Sequence, residues 1–161
     1  MNRFAIALSA CLLASAAQAQ AETETPYIDN RSGASDVVRS LYNAINRGEY
    51  ARAWSYFDEG DRPDYETFVK GYADTESVRL LLGEEKTEGA AGTVYWTVPV
   101  AIESHRADGG TAVFAGCYTL AQPNAAAQAV PPFQPIAIRK GTLRPVEKPL
   151  DEAIRNGCEA D

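Results

Sequence analysis

The sequence predicts an α+β domain in which N-terminal helices cover one face of an antiparallel sheet. Three observations carry this reading. Apolar residues recur at helical spacing through the first third of the chain, the apolar period changes to two from Ser77 onward, and the change happens once, helices first and strands afterwards.

Ser35 is the expected N-cap of the first helix, whose inner face is Val37, Val38, Leu41, Tyr42 and Ile45. Gly48 closes it, with Asn46 or Gly48 taking the left-handed conformation. Tyr50, Ala53, Trp54 and Phe57 start a second stripe. Asp58 to Asp64 reads as a turn, and Pro63 opens a third short helix facing inward through Phe68, Val69 and Tyr72.

"SVRLLLGEEKTEG" reads as the first strand, "GAAG" as a turn and "TVYWTVPVAIE" as the second strand. In that strand Val94, Trp96, Val98, Val100 and Ile102 share one face, and Tyr95, Thr97, Pro99 and Glu103 the other. Pro99 marks a bulge or an unpaired position, because it has no N–H for a ladder. "RADGGT" turns into "TAVFAGCYTL", with Ala112, Phe114, Tyr118 and Leu120 on one face and Val113, Cys117 and Thr119 on the other. After a Pro/Ala-rich loop, "PIAIRKGTLRPV" is a further strand or a hairpin turning at Gly141. A short helical "PLDEAIRNG", stopped by Asn156 and Gly157, leads to Cys158.

The 161 residues, 45% hydrophobic and 23% charged, suffice for one core. The expected organisation is a signal peptide at 1–21, a flexible leader at 22–35, the folded domain at 36–147 and a C-terminal tail at 148–161. The opening segment has Arg3, an apolar run from Phe4 to Ala14 and two A-x-A sites ending at Ala19 and Ala21, the pattern of a cleavable secretory signal. "LSAC", ending at Cys11, is the alternative: a lipoprotein box that would anchor the chain through a lipidated cysteine. The apolar run before Cys11 is short for a signal core and continues beyond it, which favours cleavage and a periplasmic or secreted product.

Cleavage after Ala21 removes Arg3 and no acid, taking the formal net charge from −7 to −8. A net-acidic chain without a basic run offers no footprint for nucleic acid or anionic lipid. Neither nucleic-acid binding nor membrane insertion after cleavage is therefore expected. Cys117 and Cys158 are the mature chain's two cysteines, and an even pair in an exported protein is most simply a disulfide.

"VRSLYNAINRGEYARAWSYF", "FVKGYADTESVRL", the hairpin strands and "PIAIRKGTLRPV" together resemble the nuclear transport factor 2-like superfamily across residues 36–146. That superfamily includes steroid isomerases, polyketide cyclases, scytalone dehydratase and exported bacterial proteins. The resemblance implies that the helices fold against the concave face and mouth of a cone made by a curved sheet. Many of its members use the opposite, convex face for dimerisation.

Enzymes of that superfamily need a carboxylate base or a His/Asp pair inside the cone. His105 heads a hairpin turn beside Arg106 and Asp108, which is the ordinary setting of a solvated residue. Glu103 falls opposite the apolar face, and Asp74 stands at a helix end where it caps a turn. One histidine and no spare cysteine make no zinc ligand set, and Asp58, Asp61 and Asp64 lack calcium-loop spacing. No catalytic residue, metal or cofactor is assigned.

Trp54, Phe68, Tyr72, Trp96, Phe114 and Tyr118 are the candidate pocket lining, against the plainer role of core aromatics at the same spacings. The reading that follows is a non-catalytic periplasmic domain binding a small apolar ligand or a partner protein. A cone-pocket isomerase, cyclase or dehydratase and a structural envelope accessory are the alternatives. If the tail is drawn across the outer face by a Cys117–Cys158 bond, a monomer is expected.

Overall fold

A computed structural model describes residues 25–159; the segment 1–21 expected to be a signal peptide, Cys11 included, lies outside them. Helix α1 (Ala34–Asn46) buries Val37, Val38, Leu41, Tyr42 and Ile45, as its apolar period requires. Its cap is Gly33, not Ser35. Ser35 already lies in the first turn, and its hydroxyl donates to Glu85 Oε2 at 2.6 Å.

The helix closes in a Schellman turn: Glu49 N–H donates to Ala44 O and Gly48 N–H to Ile45 O, each at 2.9 Å, with Gly48 at φ +68°. That reversal brings α2 (Tyr50–Trp54) back against α1. Helix α3 (Tyr65–Lys70) starts two residues later than Pro63 would have it, because Asp64 is the cap and accepts from Thr67 N–H. Pro63 stands outside, its carbonyl accepting from Trp54 Nε1 at 2.8 Å.

Residues 25–33 lie along the helices. Asn43 Oδ1 accepts from Ile28 N–H and Asn43 Nδ2 donates to Pro26 O, while Ser40 Oγ accepts from Asn30 N–H. Arg52 lies over the Tyr27 ring and donates to Ile28 O, and Arg31 lies over Tyr56. These bonds satisfy Ser40 and Asn43, the polar residues that α1 buries.

The sheet is antiparallel, curved and unclosed, with six strands: β1 (Thr75–Leu82), β2 (Lys86–Ala90), β3 (Thr93–Arg106), β4 (Thr111–Pro123), β5 (Ala137–Gly141) and β6 (Arg144–Val146). The single expected first strand is two. β1 and β2 both pair with β3, and the break falls at Gly83, opposite Pro99. The register slips by one residue there, the bulge that a proline without a ladder donor imposes.

The last strand breaks similarly. β5 and β6 both pair with β4, so Gly141 does not turn a hairpin. Between them Thr142 crosses close over Gly116, where a Cβ would meet Thr142 O at 2.5 Å. Thr142 N–H donates to Cys117 O, and Cys117 N–H to Thr142 Oγ1.

One face of this sheet carries Val98, Val100, Ile102, Tyr118, Leu120 and Ile138 against the three helices. The other carries Ala101, Ala115, Leu81, Val113 and Val146 against Leu150, Ala153 and Ile154 of the tail. The tail is a helical turn, α4 (Leu150–Ala153), that tightens into a 3-10 turn (Ile154–Glu159) instead of stopping at Asn156. A Cys117–Cys158 disulfide, Cα to Cα 4.9 Å, fixes it to β4. Among the described residues no helix is long and apolar enough to cross a membrane.

Candidate functional site

Between α3 and the helix-facing side of β3 and β4 lies a cavity of about 470 Å³. Alternation puts Ile102 and Ser104 of β3 and Ala112, Phe114 and Tyr118 of β4 into its wall. Helix α3 and the turn after it supply Phe68, Lys70, Tyr72 and Asp74, and α1 supplies Tyr42. Its volume falls in the range of about 300–1,000 Å³ usual for small-molecule sites.

The inner end is built from phenols. Tyr42 and Tyr118 are almost fully buried, and their hydroxyls are 2.9 Å apart. Burial pushes the Tyr118 hydroxyl up to about 12 and holds Tyr42 well above the usual tyrosine value, with the charge of Tyr118 adding to the latter. Tyr72, packed edge-on against Phe68 and stacked on Tyr50, is also pushed up by burial. All three stay neutral at any physiological pH. As neutral phenols they present hydrogen-bonding hydroxyls to the cavity wall.

The rim is polar: Lys70, Asp74, Thr75, Ser104 and Arg106, with Thr75 Oγ1 and Ser104 Oγ 3.4 Å apart. Asp74 and Lys70 are exposed, and Asp74 O accepts from Ala107 N–H. Among the described residues, no group of three or more histidine, cysteine or acidic side chains is placed to hold a metal ion.

Of the six aromatics singled out in the sequence, the structure brings Phe68, Tyr72, Phe114 and Tyr118 together in this cavity and leaves two outside. Trp54 packs edge-on against Tyr65 under the Arg62 guanidinium. Trp96 joins the core six residues before Ile102, at the far end of β3. Tyr42, which its sequence position marks only as a core residue of α1, is part of the site.

Glu103 and His105 lie on the opposite side of β3 from Ile102 and Ser104. There Glu103 Oε1 accepts from Arg79 at 2.9 Å and stands 3.1 Å from His105 Nε2. The acidic turn is taken up by protein groups too: Arg139 donates to Asp58 and Asp61, and Asp64 caps α3.

No protein-family model and no curated protein matches the chain. Several solved structures are similar at low identity. A SEC-C motif-containing protein from Rhodopseudomonas palustris has 14% identity and a TM-score of 0.48 over 71% of this chain and 80% of its own. Aln2 from a Streptomyces species has 13% identity and a TM-score of 0.44 over 69% and 86%. A protein of the NTF2-like family from Streptomyces avermitilis, provisionally described as a dehydratase, has 14% identity and a TM-score of 0.44 over 70% and 93%.

Proposed function

We propose that this chain is an exported, non-catalytic member of the nuclear transport factor 2-like superfamily that binds a small apolar ligand in the cavity between α3 and the sheet. The observation that carries the reading is the make-up of the cavity. Phe68, Val78, Ile102, Phe114 and Leu143 give it an apolar body, and neutral tyrosines give it hydrogen-bonding handles. The one carboxylate on its lining, Asp74, is exposed at the rim and not held in the apolar body of the cavity.

Saturable binding of a neutral apolar fluorophore, N-phenyl-1-naphthylamine, tests this. We expect one site per chain, blocked when Ala112→Phe fills the cavity and retained in Asp74→Asn. No saturable uptake by the folded protein overturns the reading. The export half is tested by the N-terminus of the mature protein. Glu22 is expected, whereas a lipid-modified Cys11 would place the chain on a membrane through its anchor.

A further inference from the structure

The two ends of the cavity ask for different chemistry. Building on the ligand-binding reading above, we propose that the ligand is an amphiphilic monocarboxylate, with its carboxylate at the rim against Lys70, its apolar body between Phe68 and Phe114, and an oxygen acceptor against the Tyr42–Tyr118 pair.

Counting protons gives the inner requirement. Two phenols carry two O–H donors, and the single bond between Tyr42 and Tyr118 uses one of them. Among the described residues neither hydroxyl has a second partner, so one of the two donors is free to meet an acceptor in the cavity. Buried donors are rarely left unpaired, and both rings line the cavity. A hydroxyl, ether or carbonyl oxygen at the inner end of a ligand completes the pair.

The rim requirement is a matter of charge. Four charged groups bear on it: Lys70, Arg106, Asp74 and Asp108. Arg106 is engaged by Asp108, Nε to Oδ1 3.5 Å. The ammonium of Lys70, the last residue of α3, has no ion-pair or hydrogen-bond partner among the described residues. The ammonium groups of Lys86, Lys140 and Lys148 are unengaged too, but Lys70 is the lysine that lines this cavity, in a chain of net charge −7. It favours an anionic headgroup where the rest of the surface disfavours one. The carboxylate stays at the rim because no cation lines the inner wall, and an unpaired charge there would lose its hydration for nothing in return. Asp74, on the same rim, disfavours a second carboxylate.

The test displaces N-phenyl-1-naphthylamine at low ionic strength with decanoate, decanol, decylamine and 10-hydroxydecanoate, each below its micelle threshold. Decanoate should compete about threefold to fivefold better than decanol, the range of a solvent-facing ion pair. Lys70→Gln should abolish that preference, as should high salt, while Lys148→Gln keeps it. The hydroxylated acid should outcompete decanoate in the wild type and lose that advantage in Tyr42→Phe. Equal competition by decanoate and decanol, better competition by decylamine, or a preference that survives Lys70→Gln overturns the carboxylate assignment while leaving the cavity a binding site. Parity of 10-hydroxydecanoate with decanoate overturns the inner acceptor. A dye that does not bind at all removes the ligand-binding reading itself, and the proposal with it.

Discussion

Asn46 pairs with Val78 through both edges of its amide: Oδ1 accepts from Val78 N–H at 2.7 Å, and Nδ2 donates to Val78 O at 2.9 Å. The side chain thus does for one residue of the β1 edge what a neighbouring strand would do. An unpaired edge invites association, and here α1 closes part of it from within the same chain.

Asn46→Ala leaves both groups of a buried strand residue unpaired, and we expect a loss of about 2 kcal/mol in urea unfolding. Asn46→Asp sharpens the test. Its carboxylate keeps the acceptor but faces Val78 O, so protonation restores the missing donor. Stability of this variant should rise relative to the wild type as pH falls through the carboxyl range. A variant as stable as the wild type near neutrality would show that water replaces the amide.

The disulfide and the tail act as one unit. Closing a loop across 41 residues restricts the unfolded chain by about 4 kcal/mol in the entropy model. Cys158→Ser should lower the urea midpoint accordingly, and mature protein should show no free thiol under denaturing, non-reducing conditions. Deleting the tail from Pro149 onward uncovers Ala101, Ala115 and Val113 on the outer face. We expect the intact protein to sediment as a monomer at micromolar concentration and the deletion variant to associate. A compact dimer of the intact chain through that face would sink the expectation.

His105→Ala and Glu103→Gln should leave fluorophore binding unchanged. Both residues sit across the sheet from the cavity, Glu103 Oε1 standing 3.1 Å from His105 Nε2 and accepting from Arg79. Weaker binding by either folded variant would point to coupling through β3.

The tyrosine cluster sets an alkaline limit. Burial holds the Tyr118 proton up to about 12, against about 10 for an exposed tyrosine. A group raised in the folded state contributes stability that is fully present below about pH 10 and is lost as pH rises through the folded value, at about 1.4 kcal/mol per pH unit per group. Urea midpoints from pH 8 to 11.5 should therefore fall more steeply in the wild type than in Tyr42→Phe/Tyr118→Phe. Parallel profiles would mean that the pair opens to water before it ionises.

Much of this fold was legible because it is local. The buried face of α1 follows from a 3.6-residue period, and the two faces of β3 and β4 from alternation, so Glu103 and Cys117 could be assigned to the outer side. Pro99 marked an irregularity in its own strand, though not that the facing strand breaks into β1 and β2 there. Depth along the sheet was not legible: Trp96 shares the face of Ile102, yet six residues at about 3.3 Å each put it about 20 Å away. Pairing across the fold was equally hidden. Nothing near Tyr42 in sequence announces Tyr118, and nothing near Gly141 announces the ring it makes room for.

That last contact gives a prediction of its own. A Cβ on Gly141 would meet Tyr118 Cε1 at 2.6 Å and Cδ1 at 3.0 Å. The backbone has little freedom to retreat, because Gly141 is paired with Tyr118 in the β4–β5 ladder. No positive φ is involved, so the problem is space alone. In Gly141→Ala the ring must swing away from β5, giving up its bond to Tyr42 and changing the cavity wall. We expect a cost of about 1–3 kcal/mol, the usual range for overpacking, together with altered near-ultraviolet dichroism and weaker fluorophore binding. Gly89→Ala, where nothing lies within 4 Å of the added carbon, is the neutral control. Trimming the ring in Tyr118→Leu should make the Gly141 substitution cheaper, and a double-mutant cycle reads that coupling. Additive costs would show that Tyr118 is not the group displaced.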